Sequence, residues 1–393
     1  MKASSRGEVP EPRGGEGLGV RPLLLGLAMA GGVAFVVAAT GAQWQRAWQI
    51  FLVNLLFWMG MAQGGVVLAA LYELTGSRWG EPVRRLALGL GGFLPLAFLL
   101  FLLLPLGREA LFPEVHGAVA EQAWLAFPFR FGRDAGGLLV LFGVSLAYMS
   151  ARLRAPSRPE GASPRHRGLA ASLLLLYVTV FTLLAADLVM ALDPHWISTL
   201  FGAYFFLTSF LIGLGGTAIT AALAAGSWRF HGLVTRSQLH DLGKLLFAFT
   251  VGSAYFFFSQ FLVIWYGNLP EEIGFVILRL RARPWAPLAW IIALGGFALP
   301  AGALLARAPK RTPLALSGIA VAILTGMWLE RFLLVVPSLW KSPDLPIGWL
   351  EFLVTAGYGA VFVLCARALV PRALGSLLPG AFLRDGTAPG GPR

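Results

Sequence analysis

Charge is scarce in this chain. Asp, Glu, Lys and Arg make up 13% of its 393 residues, about half of the roughly 25% usual in soluble globular proteins. A soluble fold of this length needs a charged surface that this sequence does not supply. Cysteine is scarcer still, with Cys365 the one thiol. One thiol excludes an intrachain disulfide and cannot hold an iron–sulfur cluster. The five histidines, His116, His166, His195, His231 and His240, all lie away from the middle of an apolar run. A transmembrane b-type haem needs paired histidines facing each other inside a bundle, so no haem is expected. The chain carries no visible redox centre of its own, and no metal site is expected.

What is present is apolar sequence, 57% of the residues. A membrane-crossing helix needs roughly 20 apolar residues. Ten runs qualify, at about 22–41, 47–74, 83–106, 135–151, 169–192, 198–225, 242–267, 285–306, 313–336 and 347–369. The expected fold class is therefore an all-α integral membrane protein of about ten transmembrane helices. The first twenty residues are polar and rich in Gly and Pro, which reads as a disordered tail. "ATGAQWQ" after the first run resembles a signal-peptide site, but the tail is long and the helix full length, so the first span is read as uncleaved.

The net charge of +12 would suit nucleic acid only if gathered on one surface. Here Lys and Arg are spread over short connections, so the partner is the lipid bilayer and not nucleic acid. With both termini inside, the inner segments hold 21 Lys and Arg and the outer segments 8, namely Arg46, Arg108, Arg130, Arg133, Arg279, Arg281, Arg283 and Lys341. That bias predicts cytoplasmic N- and C-termini. Two longer outer connections, about 107–134 and 268–284, are places for a partner to dock. Glu271 and Glu272 follow Pro270 and read as the start of a short helix, solvated or facing a partner.

Two stretches look alike. "AQGGVVLAALYELTGSRW" runs from Ala62 to Trp79, and "GLGGTAITAALAAGSW" from Gly213 to Trp228. Each has a Gly-Gly pair, a small and apolar run, then Gly-Ser and Trp. Glu81-x-x-Arg84 opens the third span and Asp241-x-x-Lys244 the seventh. Asp187 and Glu330 each stand seven residues before a proline, Pro194 and Pro337. The same order at offsets of about 143 to 160 residues predicts two parallel-related four-helix bundles plus peripheral helices. The division is 1–18 cytoplasmic tail, 19–45 first span, 46–197 first unit, 198–346 second unit, 347–370 last span and 371–393 tail. Gly60 and Gly64 form GxxxG, which predicts close helix packing.

The polar groups inside spans are the functional candidates, since a charge at bilayer depth costs at least about 2.5–3.5 kcal/mol. Asp187, Asp193, His195, Glu330, Arg331 and Glu351 gather in the outer half, where they suit proton or ligand handling. The bland alternative is a Glu–Arg or Asp–Arg pair that locks the bundle. Adjacent residues point about 100° apart on a helix, so Glu330 and Arg331 are expected to choose different partners. In the seventh span Asp241, Lys244, Tyr255, Ser259 and Tyr266 fit one helical face, a candidate proton path; the alternative is hydroxyls that glue helices together, with Asp241 and Lys244 anchoring the helix end.

The segments "RAWQIFLVNLLFWMGMAQGG", "LDPHWISTLFGAYFF", "DLGKLLFAF", "FFSQFLVIWYGNLPEE" and "ERFLLVVPS" resemble the ActF family of bacterial alternative complex III. That family belongs to the NrfD, or polysulfide-reductase-type, membrane subunits. The resemblance covers roughly residues 20–370. It implies ten helices in two four-helix bundles, within a quinol:cytochrome c (or electron-acceptor) oxidoreductase of the bacterial cytoplasmic membrane. It also implies partners: an ActC-like membrane subunit, a periplasmic iron–sulfur subunit and cytochrome c subunits, which hold all the haem and iron–sulfur groups. A quinone, menaquinone or ubiquinone, is the ligand it implies, although in the family the ActC subunit is the stronger candidate for the quinol site and the ActF role can be proton movement or scaffolding. Two other readings stand beside it. One is a stand-alone secondary ion or proton transporter, disfavoured because paired spans lack clear Gly/Pro interruptions. The other is a purely structural membrane subunit.

Overall fold

The computed structural model describes residues 19–77, 80–112, 126–154, 163–193, 196–227, 232–375 and 377. Inside a bilayer no water satisfies backbone N–H and C=O groups, so spanning chain must close its hydrogen bonds internally. All ten apolar runs do so as helices: α1 Val20–Thr40, α2 Trp44–Leu74, α3 Glu81–Phe101, α4 Phe127–Arg154, α5 Pro164–Leu192, α6 Phe201–Gly226, α7 Arg236–Gly267, α9 Trp285–Leu305, α10 Pro313–Leu339 and α11 Trp349–Gly375. A shorter helix, α8, spans Pro270–Leu280 in the connection after α7, with Pro270 in its first turn as the sequence suggested. There is no strand among the described residues. The chain is an all-α, multi-pass membrane protein. Trp79, Pro194, His195 and Trp228 lie outside the described residues.

The fourth span is longer than the sequence reading, which began it at 135. It starts at Phe127 and brings Arg130, Arg133 and Asp134 onto the helix. These charges read as loop in the sequence. They are tolerated in the span because opposite charges from α4 and α5 meet there, as described below. Two spans are irregular: α3 has a 3-10 turn over Gly91–Phe93, and α9 has a π-helical segment over Ile292–Ala298.

Burial separates central from peripheral spans. In the apolar window of α2, 94% is buried inside the chain, against 6% for α1. Helices α2, α3, α4 and α5 close a ring in which each touches its two neighbours. Helices α6, α7, α9 and α10 close a second ring with the same order of contacts. The rings meet along α2 and α6, with α5 also on α6 and α10 also on α2, while α1 and α11 pair at the edge against α2 and α3.

The α2–α6 contact explains the glycines. Gly64 lies against the backbone of Ser209 and Gly213, and a Cβ there would sit 2.7 Å from the Ser209 carbonyl oxygen. Gly60 faces Ser209 one turn away. Without a hydrophobic driving force between helices in lipid, such close backbone approach supplies the packing energy. Gly64→Ala is expected to destabilise the protein by about 1–3 kcal/mol through overpacking, read as a lower thermal midpoint in detergent. Gly143→Ala, whose Cβ meets nothing within 4 Å, is the control and is expected to leave the midpoint unchanged or raised.

Candidate functional site

Below, "outer" denotes the face that carries the connections after α1, α3, α5, α7 and α10. Glu330 and Arg331 sit in the outer half of α10, nine and eight residues before its last residue, Leu339. Both are buried. Contrary to the sequence expectation, they pair with each other: Arg331 Nη1 donates to Glu330 Oε2 at 2.8 Å and to Oε1 at 3.1 Å. The long, flexible arginine side chain curls back along the helix, since no other acid in the described residues comes within pairing distance of it. Its Nη2 donates to Thr208 Oγ1 at 2.8 Å and Ser209 Oγ at 3.1 Å, and its guanidinium lies 4.3 Å from the Phe205 ring centroid. The cation is thereby held on α6, and the Tyr204 hydroxyl donates to the Glu330 carboxylate.

Beside this pair is a cavity of about 410 Å³ between α6, α7, α8, α9 and α10. Its wall is aromatic and aliphatic, from Phe201, Phe257, Phe261, Phe275, Trp290 and Phe297 among others, with Glu330 and Tyr204 also lining it. Two buried donors on this wall, Gln260 Nε2 and Trp196 Nε1, have no hydrogen-bond partner among the described residues. A buried unpaired donor costs about 1–3 kcal/mol, so an acceptor-bearing ligand would relieve both. The π-helical segment contributes Ile292, Ala293 and Phe297; such segments are frequent at functional sites. Gly296 within it packs on Gly326 of α10, one turn before Glu330. Contacts between α7 and α9 gather toward the Leu305 end of α9. Toward the other end Phe257 and Trp290 line the cavity while 48% and 64% exposed, so it opens sideways toward lipid.

A lid closes the outer side. Pro337 has no N–H, which leaves the Leu333 carbonyl without its helical partner. Arg279 of α8 supplies one: its Nε donates to Leu333 O at 2.9 Å, and Nη2 donates to Leu334 O at 3.0 Å and Ser338 Oγ at 2.8 Å. Its guanidinium lies 3.3 Å from the centroid of Phe275, which stacks on Trp196 at 3.7 Å. Burial lowers the Arg279 guanidinium to about 9, with Asp193 acting in the opposite direction, so it remains charged at neutral pH. Arg279→Met is expected to cost about 1–3 kcal/mol for the orphaned carbonyl and to speed proteolytic nicking within 268–284, measured by limited proteolysis at constant temperature.

The other candidates are placed as follows. Asp187, near the end of α5, pairs with Arg133 and lies close to Asp134 of α4. It meets charges of α4, whereas Glu330 pairs with its neighbour on its own helix α10, so the equal spacing to a proline does not give equal surroundings. Glu351 is buried at the start of α11, pairs with Arg46 at 2.5 Å and accepts from the Gly348 N–H at 2.7 Å; this arrangement caps a helix and ties α11 to α2. His195 lies outside the described residues. In α7, Asp241 and Lys244 pair at 2.8 Å. Tyr255 and Tyr266 are 65% and 86% exposed, so with Ser259 they form no internal line within this chain; that stripe faces outward.

Sequence reasoning missed several residues. Arg279, Gln260 and Tyr204 carried no visible signal, because each looks like an ordinary loop or interfacial residue, and Trp196 stood out only through its place after Asp187 and Pro194. The Gly295-Gly296 pair and the seven-residue spacing to Pro337 were available cues. A second buried network was also missed: at the inner end, Glu73 accepts from Arg84 at 2.8 Å and pairs with Arg152 at 3.2 Å, while Glu81 pairs with Arg84 and Arg85. Of this network the sequence pattern marks only Glu81-x-x-Arg84.

In comparisons with known proteins, no family model matches this chain and no curated protein matches it. Among the described residues no group of three His, Cys, Asp or Glu is arranged to hold a metal ion.

Proposed function

We propose that this chain is a membrane subunit of a quinol:cytochrome c (or electron-acceptor) oxidoreductase of the alternative complex III type, and that its outer cavity takes the head group of a quinone. The observation that carries the reading is the cavity itself: apolar walls, lateral access from lipid, two unpartnered donors and one buried carboxylate. A quinone has a planar apolar ring and two acceptor oxygens, which suits this lining. The segment resemblance to the ActF family supports the same assignment, with both termini cytoplasmic in a bacterial inner membrane as the charge bias favours.

A bound quinol supplies two protons and two electrons. Glu330 is positioned to accept a proton, with Tyr204 holding its carboxylate, while Gln260 and Trp196 orient the ring oxygens. Arg331 keeps the carboxylate in place and stabilises its charge. Iron–sulfur and haem groups of partner subunits would take the two electrons, and the second proton would leave to the outer aqueous face.

The structural reading rests on a specific feature too: Arg331 is satisfied by its neighbours without any ligand. Saturation binding of a quinone analogue to the purified chain, followed by quenching of tryptophan fluorescence, separates the two. Binding weakened about tenfold or more by Ala293→Phe, which fills the cavity, supports the quinone site. Absence of saturable binding by the wild-type chain favours scaffolding.

A further inference from the structure

At the opposite, inner face a second cavity of about 510 Å³ lies between the start of α7 and the connection from α9 to α10. It is lined by Arg236, Ser237, Ala308, Arg311, Thr312 and Pro313. Two guanidinium groups thus stand on the walls, one from each element, and among the described residues no acidic side chain lines it. The nearby charges deepen the imbalance. Lys244, Lys310 and Arg311 all act electrostatically on His240 of α7, and Asp241 is the single acid among those groups. Asp241 is already engaged by Lys244 at 2.8 Å. Lys310 is buried, packed over Gly243, and has no ion-pair partner among the described residues.

Like charges held together at a membrane boundary repel unless an anion lies between them. The backbone adds to this. Helix α10 begins at the cavity, at Pro313, and a helix start favours negative charge; the start of α7 there is already capped by Thr235 and Gln238. The Thr312 hydroxyl is turned away, donating to Ala308 O at 3.1 Å, so α10 has no side-chain cap. The surroundings also say what carries the anion. Leu305 and Leu314, at the ends of α9 and α10 beside the cavity, are largely exposed, which places hydrocarbon next to the arginines.

We infer that this cavity binds the phosphate group of an anionic phospholipid, whose acyl chains run along α9 and α10. The site would anchor the start of α7 to the start of α10 at the inner membrane surface. It does not depend on the quinone reading.

The test uses the full chain in nanodiscs of phosphatidylcholine with a minor fraction of phosphatidylglycerol or cardiolipin. Native mass spectrometry counts the anionic lipid retained after release. An Arg or Lys near a membrane surface is worth about 1 kcal/mol toward an anionic lipid, or about fivefold. The double variant Arg236→Gln/Arg311→Gln is therefore expected to lose retention by about 25-fold, while Arg165→Gln, an exposed inner-face arginine at the start of α5, leaves it unchanged. Equal retention by the wild type and the double variant would overturn the site. A wild-type chain that retains no anionic lipid above its bulk fraction would overturn it independently of any variant. Stabilisation of the wild type by inorganic phosphate alone, matching that by the lipid, would overturn the lipid as the source.

Discussion

Under the proposed function, the complex carrying Glu330→Gln is expected to assemble normally and to turn over quinol about 10²-fold or more slowly, since a positioned acid or base contributes roughly 10²–10⁴-fold. Glutamine keeps the shape and can still accept from Arg331 and Tyr204. Arg331 keeps Thr208 and Ser209 as further acceptors, so the fold survives the change. What is lost is a carboxylate able to take a proton from a ligand in the cavity. Assembly is checked by haem content and activity by quinol:cytochrome c turnover. Gln260→Leu in the same assay is the companion, expected to raise KM with little change in kcat, because it removes a binding donor and no proton acceptor.

The second large effect concerns folding. Arg331→Met is expected to cost about 3–5 kcal/mol, the usual result of leaving one member of a buried ion pair alone. Glu330 would retain only Tyr204 as a donor, and Thr208 and Ser209 would lose theirs from Arg331. The expected observation is loss of assembled protein. Glu330→Gln/Arg331→Met removes both charges and is expected to recover much of that loss. A double variant no better than Arg331→Met would mean that the arginine matters through packing on Phe205 and α6, not through the carboxylate.

The spans were legible in the sequence because hydrocarbon leaves the backbone one helical solution. The glycine contact between α2 and α6 was legible for a related reason, since GxxxG marks close approach. The start of α4 was not. Arg130, Arg133 and Asp134 look like loop residues until Asp187 is brought beside them from another helix. Glu330 and Arg331 could be singled out by their cost in lipid, but not their partnership, which depends on the reach of a side chain and on which acids lie nearby. The cavity was the least legible feature. It is assembled from five helices, and its key polar groups are ordinary residues made unusual only by being buried without partners. The lid followed the same logic: Pro337 announced a freed carbonyl, but not that Arg279 would come to meet it.

The central claim is that the cavity beside Glu330 holds a quinone head group. The direct measurement is photolabelling of the assembled complex with an azidoquinone, followed by mass-spectrometric mapping of the labelled peptides. The account predicts label on α7 between Ala254 and Ile264 and on α9 between Ala289 and Phe297, removed by excess unlabelled quinone and reduced by Ala293→Phe. Label confined to partner subunits, with these two segments unmarked, would contradict it.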